Sequence, residues 1–548
     1  MKIVIAEKVS PATLAILKNE PGWEVVTSEQ IPAGGLPAAL AEAEALIVRS
    51  AVQADAALLE HAPKLRLIGR AGVGVDNIDT AAATKRGIVV MNTPGANAVA
   101  VAELTLGLMV AMARAIPRAN AGMHEGKWDK KTLQGTELRG KTLGIVGCGR
   151  IGLEVARRAK AFGMTLIGYD PFIAPVIARE NDISLVAIEE LFGESDFLSL
   201  HVGLTPQTEG LINRTSLAIM KKGVRIVNCA RGELIVDDAL VEALRSGHVA
   251  GAALDVFRKE PLKDSPYFEI PSVLLSPHIA GSTDEAQEAI GIQLANQVRD
   301  YLKLGVVQNA VNAASLSEEE YAEVSPYIEM AARLGVFLAH SLGTKGTGGT
   351  ESAGNIESLT LNYNGRVAHL KTDLLRNAAL AGLLHGSEGV NRINAATAAA
   401  ERGIRLEENK REYVPGGTGA TLRLIAHTAA GDSAVTGTVL QGGSPRLMRY
   451  DGIDVEAELA GTLLVLRNND VPGVIGQIGT VLGEEGLNIA NFALGRTRAE
   501  GGQSMRAVAL VQVDAPEAAA DPALAKAMDR LRAVEAISSV RVVKLGTL

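Results

Sequence analysis

The stretch KTLGIVGCGRIGLEVARRAKAFGMTLIGYDP, residues 141–171, decides the fold. Its apolar run before Gly147 reads as a buried strand, and IGLEVARRAKAFG carries the apolar spacing of a helix. TLIGYD is a second strand, and it ends in Asp170, 18 residues beyond Gly152. The turn between strand and helix, Gly147-Cys148-Gly149-Arg150-Ile151-Gly152, has the pattern G-x-G-x-x-G. In a chain with 58 glycines the bare pattern arises by chance, and AGVGVDNID at 71–79 nearly repeats it, with Asn77 where the third glycine belongs. The context of Gly147 is what discriminates. Glycines let the turn close and a pyrophosphate approach, the helix N-terminus presents N–H groups, and the acid reaches a ribose hydroxyl. Gly147, Gly149, Arg150, Ile151, Gly152 and Asp170 are therefore candidate dinucleotide ligands. Asp170 repels a 2′-phosphate and Pro171-Phe172 supplies no arginine, which favours NAD over NADP. The competing reading is an ordinary strand–turn–helix with glycines for packing.

Outward from this unit, strands recur at FLSLHV, RIVNCA, GAALDV and VLLS, so residues 96–283 form one doubly wound sheet. Upstream, KIVIAE, WEVVTS, ALIVRS, LRLIGR and IVVMN alternate with helical segments and predict another over 1–95. Ser282-Thr283-Asp284-Glu285 fits a capping box opening a helix to about Leu304, which crosses back onto the first sheet. That makes the first domain discontinuous, 1–95 with 284–312. Asn97–Arg114 is apolar almost all round, which predicts burial between domains or subunits. Beyond 313 an acidic linker and helix, a Gly-rich loop at 343–355, strands ESLTLNYNG, TLRLIAH and AVTGTVL, and a helix at 371–385 make a third α/β unit, 313–455. The last segment, 456–548, has the element order βαββαβ of a ferredoxin-like fold.

Composition bounds the partners. The chain has 548 residues, too many for one core, and a net charge of −8, which speaks against nucleic acid or an anionic membrane as partner. No run approaches the 18 apolar residues of a membrane span, and the N-terminus lacks a signal-like apolar region. Two cysteines, Cys148 and Cys229, give no disulfide framework, so a reducing cytoplasm is expected. The nine histidines show no HExxH or Cys/His cluster, and no protein metal site is expected.

Three strand ends of the second sheet carry chemistry. RIVNCA leads to Arg231, GAALDV leads through Asp255 to Glu260-Pro261, and VLLSP leads to His278. Ligands of open α/β sheets bind outside the carboxyl ends of the strands, so these groups can converge on one reacting centre. Hydride transfer from a secondary alcohol needs a base, which suits His278. A carboxylate on the other ring nitrogen fixes the tautomer, a role open to Glu260, and Arg231 can clamp a substrate carboxylate. Each has a plainer reading: a domain-bridging salt bridge for Arg231, loop chemistry for Glu260, a buried structural histidine for His278. Asp255 either caps the following turn or bonds a nicotinamide carboxamide, and Cys229 reads as a small core residue rather than a nucleophile.

The runs GIVGCGRIG…YDP, VNCARGELIVDDAL, ALDVFRKEPL and SPHIAGST together resemble the D-isomer-specific 2-hydroxyacid dehydrogenase family. Within it, VRSAVQADAALLE, GRAGVGVDNID and MNTPGANAVAVAEL resemble the D-3-phosphoglycerate dehydrogenase family, and the length matches its long form. The resemblance implies Arg231, Glu260 and His278 as the catalytic set, and oxidation of 3-phospho-D-glycerate by NAD at the entry to L-serine synthesis. It implies cofactor contacts also at Cys229, Asp255, His278 and Gly281. Substrate contacts are implied at Arg49, Arg70, Gly72, Val73, Asn97, Arg231 and His278, with 3-phosphoglycerate needing cations for phosphate as well as carboxylate. Lys130 and Lys131 beside Trp128 extend this basic set, in the same chain or from a neighbouring subunit. LRNNDVPGVIGQIGTVLGEEGLNIANFALGR, 466–496, resembles an ACT regulatory domain. It implies serine as effector, held by Asn468, Asp470 and Asn488, and the segment 313–455 becomes the family's intervening domain. A homo-oligomer, dimer or tetramer, is expected from the apolar helix and the ACT edges. Two other functions fit the core: a glyoxylate or hydroxypyruvate reductase, and a non-catalytic NAD-sensing protein like the corepressors that share it.

Overall fold

The computed structural model describes residues 1–342, 356–412, 419–429, 431–497, 506–514 and 521–546, so the Gly-rich loop expected at 343–355 lies outside the described residues. The first sheet is parallel, with strands β1 (Lys2–Ile5), β2 (Glu24–Thr27), β3 (Ala45–Val48), β4 (Leu67–Arg70) and β5 (Val89–Met91) in the order β2-β1-β3-β4-β5. The second has seven parallel strands: β6 (Thr142–Val146), β7 (Thr165–Tyr169), β8 (Ser184–Leu185), β9 (Phe197–Leu200), β10 (Val224–Asn228), β11 (Val249–Leu254) and β12 (Val273–Leu275). Their order, β12-β11-β10-β9-β6-β7-β8, reverses direction at β6, where the glycine turn emerges. Both are Rossmann-like, and the inner strands are apolar at successive positions because helices cover both faces.

The helix Asp284–Leu304 returns to the first sheet, where Ile290, Leu294 and Val298 share a core with Ile3, Ile47 and Leu67. Its cap is Thr283 rather than Ser282, since the Thr283 hydroxyl accepts from Ala286 N at 3.1 Å. The helix Ala98–Ala113 buries Val101, Leu106 and Met109 against the second sheet. Its burial is one-sided within this chain: Val99 is 48% exposed and the Glu103 side chain 63% exposed. Among the described residues no single helix is long and apolar enough to cross a membrane.

The third sheet has six strands, β13 (Ile356–Asn364), β14 (Arg405–Arg411), β15 (Thr421–Thr428), β16 (Gly431–Val439), β17 (Pro445–Tyr450) and β18 (Ile453–Glu458), ordered β14-β13-β15-β16-β17-β18. The fourth, β19 (Gly461–Asn469), β20 (Ile489–Arg496), β21 (Arg506–Val513) and β22 (Ile537–Leu545), is ordered β20-β21-β19-β22 with two helices on one face, the ferredoxin-like arrangement of an ACT domain. One apolar core runs through both units, with Val465, Leu510 and Val543 of the fourth sheet joining Leu359, Tyr450 and Val455 of the third.

Candidate active site

The nucleotide turn leaves β6 at Gly147, whose φ of +92° suits glycine, and Gly149 caps the helix Arg150–Ala161. A Cβ on Gly152 would stand 2.1 Å from the Gly147 carbonyl oxygen, so the third glycine is what lets helix and turn touch. Asp170, just past β7, accepts from Cys148 N at 2.9 Å through Oδ2 and from Phe172 N at 2.8 Å through Oδ1. The carboxylate is thus fixed at the rim of the turn, where a ribose would lie, and these residues fit a dinucleotide. Two side chains of the motif point elsewhere. The Arg150 guanidinium donates to the Pro94 carbonyl of the first half, and Ile151 packs into the core under the apolar helix. Their contribution to an anion is the backbone at the helix N-terminus.

Asp255 follows β11 and is fully buried. Its Oδ1 accepts from Ser276 Oγ at 2.6 Å and Ile279 N at 3.0 Å, and its Oδ2 accepts from Ala280 N at 2.9 Å. Of its two sequence readings, the turn-capping one describes these bonds. The clamp holds residues 276–280 so that His278, at φ +54°, projects into the cleft. There its Nδ1 stands 2.7 Å from Glu260 Oε2, while Glu260 Oε1 accepts from Phe257 N at 3.0 Å. A carboxylate on Nδ1 keeps the proton there and leaves Nε2 free to accept another. Gly281 comes close behind, against Asn97, whose buried Oδ1 has no hydrogen-bond partner among the described residues.

Arg231, just past β10, is not among the residues lining this cleft but meets its wall at Asp76. Asn228 pins its backbone, with Nδ2 donating to the Arg231 carbonyl at 2.8 Å. Its Nε meets Asp76 Oδ2 at 3.1 Å, across from the loop after β4. A Cβ on Gly74 would fall 1.9 Å from the Arg231 guanidinium, so the glycines of AGVGVDNID make room for arginine rather than for a nucleotide. Arg49 and Arg70 stand at the carboxyl ends of β3 and β4. Glu7 shapes the first of these turns by accepting from Arg49 N at 2.8 Å and Val52 N at 3.1 Å. Burial, then the charges of Arg231 and Arg49, push the Arg70 guanidinium below its ordinary pKa, and its buried Nε has no partner among the described residues. Such a group gains from an anion.

A cleft of about 850 Å³ collects Arg49, Arg70, Gly72, Asn97, Glu260, His278 and Gly281. Val73 is not among its walls, and its carbonyl accepts from Asn92 Nδ2 at 2.5 Å. Lys130 and Lys131 are exposed and do not line this chain's cleft. Cys229 is buried beside the site, its thiol pushed up to about 12 chiefly by burial, which excludes a resting thiolate. His201, at the end of β9, is held neutral by burial, which lowers its pKa to about 4. Sequence reading overlooked Asp76, Ser50, Gln53 and Gln287, all in the cleft wall. Only Asp76 had a usable signal, as the acid within the glycine-spaced stretch.

The three effector candidates do not meet within one chain. Thr462 of β19 and Ile489 of β20 both register with Val513, whereas Asn469 registers with Arg506 at the other end of β21. Asn488 and Asp470 therefore sit at opposite ends of the sheet, roughly 20 Å apart at the rise of a strand. Asp470 pairs with Arg496 at 3.4 Å, Asn488 donates to Asp514 at 2.7 Å, and Asn468 is buried.

Residues 106–280 match the model of the D-isomer specific 2-hydroxyacid dehydrogenase NAD binding domain, 323–451 that of the D-3-phosphoglycerate dehydrogenase intervening domain, and 462–534 that of the ACT domain. The D-3-phosphoglycerate dehydrogenase of Methanocaldococcus jannaschii is 38% identical over 550 residues, covering 100% of both chains. That of Synechocystis is 39% identical over 498 residues, 90% of this chain and 88% of the relative. Among solved structures, a glyoxylate reductase from Paecilomyes thermophila is 32% identical with a TM-score of 0.52 and covers 57% of this chain and 98% of its own. The shorter enzyme thus lacks a counterpart for the last two sheets, whereas the Methanocaldococcus and Synechocystis relatives span nearly all of this chain. With an NAD-binding domain, an intervening domain and an ACT domain in that order, the chain belongs to the D-3-phosphoglycerate dehydrogenase family.

Proposed function

We propose that this chain oxidises the C2 hydroxyl of 3-phospho-D-glycerate to 3-phosphohydroxypyruvate, the first step of the phosphorylated route to L-serine. The observation that carries the reading is the Glu260–His278 pair, 2.7 Å apart, in a cleft lined by Arg49 and Arg70, with Arg231 paired to Asp76 of its wall. His278 Nε2 takes the hydroxyl proton, while Glu260 holds Nδ1–H and stabilises the imidazolium that forms. Arg231 holds the substrate carboxylate and draws charge onto the developing carbonyl oxygen. Arg49 and Arg70 hold the phosphate, with Asn97 and the Gly72 backbone beside them. NAD, when bound, accepts the hydride from C2; the turn Gly147–Gly152 and Asp170 would hold it, with Cys229 and Gly281 on the nicotinamide side and Asp255 fixing the 276–280 turn beside them. We assign 1–95 with 284–312 to substrate binding and 96–283 to NAD, with 313–455 the intervening and 456–548 the ACT domain.

Serine feedback through the ACT domain is part of the same reading. Since Asp470 and Asn488 stand at opposite ends of the sheet, a site using both has to draw on two chains. The half-exposed apolar face of the helix Ala98–Ala113 supports a homo-oligomer, and two free cysteines, Cys148 and Cys229, support a reducing cytoplasm. A glyoxylate or hydroxypyruvate reductase, or a non-catalytic NAD sensor, leaves the arginines of the first sheet and the two added domains without a task. NAD reduction with 3-phosphoglycerate, D-glycerate and 2-hydroxyglutarate separates these readings. Two charge-assisted contacts to phosphate, from Arg49 and Arg70, give the first substrate an advantage of at least about a hundredfold in kcat/KM. Equal turnover of D-glycerate would overturn the assignment.

A further inference from the structure

We propose that the cavity between the first sheet's domain and the six-stranded domain is a binding site for a small organic carboxylate with an apolar body. The cavity holds about 520 Å³, within the usual size of metabolite pockets, and is distinct from the catalytic cleft. Its walls come from both sides: Tyr301 from the last turn of the return helix and Val307 from just beyond it, Tyr321, Leu374 and Ile393 from the six-stranded domain. The pocket opens to solvent along part of its rim, so a ligand can enter without the two domains separating.

The charge of the walls selects the ligand. Arg66, Arg392 and His385 line the chamber, and no aspartate or glutamate is found among its described lining residues. Arg66 already pairs with Glu44 at 3.3 Å and lies 5.7 Å from the centre of the Tyr301 ring. The Arg392 guanidinium has no ion-pair or hydrogen-bond partner among the described residues. One unpaired planar guanidinium matches one carboxylate bidentately, and the remaining wall is mostly aliphatic and aromatic, which suits an apolar body better than a bare phosphate.

Two hydrogen bonds beside the chamber tie the two domains: Asn391 donates to the Gly87 carbonyl at 2.9 Å and Asn394 to the Lys85 carbonyl at 2.9 Å. A ligand here touches both domains and stiffens the joint between the substrate half and the regulatory tail.

Titration calorimetry on the full chain tests this with phenylacetate, with phenethylamine as the cation of the same body, and with inorganic phosphate. Phenylacetate is expected to bind one per chain at this chamber, with Arg392→Gln and the chamber-filling Ala314→Leu each weakening it at least tenfold. Both changes lie outside the catalytic cleft, and a retained melting temperature and NAD-linked turnover control for folding. No phenylacetate binding by the wild type, undiminished binding by either variant, or equal binding of phenethylamine or phosphate would each overturn the proposal.

Discussion

Asp76 is the residue whose role changes most between sequence and structure. Within AGVGVDNID the sequence assigns it no role, yet it bridges to Arg231 Nε at 3.1 Å. The Asp76 side chain is 68% exposed and that of Arg231 25%, so the pair adds little to stability and acts mainly by orienting the guanidinium. Asp76→Asn should lower kcat/KM about tenfold, the worth of one charge-assisted bond, with the melting temperature almost unmoved. Steady-state kinetics beside a thermal melt decides it. A kcat/KM that rises instead would mean that Asp76 competes with the substrate for Arg231. The neighbouring pair was easier to read. Glu260 and His278 follow the adjacent strands β11 and β12 by a few residues, and neighbouring strand ends of a parallel sheet meet in space. Asp76 follows a strand of the other sheet, and only the packing of the two halves brings it to Arg231. No spacing along the chain encodes that.

At the scale of elements, the βα turn after β6 carries its own explanation. Gly152 faces the Gly147 carbonyl, and a methyl group there would meet backbone rather than a flexible side chain. Gly152→Ala must therefore push the helix Arg150–Ala161 away from the turn, moving the N–H groups that a pyrophosphate needs. We expect the Kd for NADH, read by fluorescence titration, to rise at least about tenfold. The loss should appear in cofactor affinity ahead of kcat, and an unchanged Kd would contradict the packing argument. Elements with this kind of local chemistry were legible: every strand of the first sheet and all but β8 of the second follow from apolar runs between turn residues. The strands that escaped are informative. β14, RLEENKR, is a charged edge strand with almost every side chain exposed, so it has neither an apolar run nor alternation. β17 mixes two arginines into a short run without regular alternation, whereas β18, IDVEAE, alternates buried and exposed positions, so its period-2 signal was present and went unread. β8 is two residues long and exists only because β7 offers it an edge.

For the whole molecule, the geometry of the fourth sheet bears on how regulation is assembled. β19 and β20 run parallel to each other on either side of β21, so the turn after β19 and the turn before β20 open at opposite ends. The linear motif put Asp470 and Asn488 within one stretch of sequence and concealed this separation, because spacing along a helix-crossed connection says nothing about which end of a sheet each residue reaches. If serine is held by both residues, each site takes Asp470 from one chain and Asn488 from another, and a symmetric dimer has two such sites. The consequence is testable by mixing. Asp470→Ala and Asn488→Ala homo-oligomers should each lose serine inhibition, since every site lacks one partner. In a mixed dimer one site loses both residues, and the other regains the intact pair. Coexpressed, differently tagged chains purified through both tags should therefore recover serine binding at about half the wild-type stoichiometry, measured by equilibrium dialysis. Mixed dimers that stay as blind to serine as their parents would exclude a shared site. Serine binding retained by either homo-oligomer at wild-type affinity would remove that residue from the site altogether.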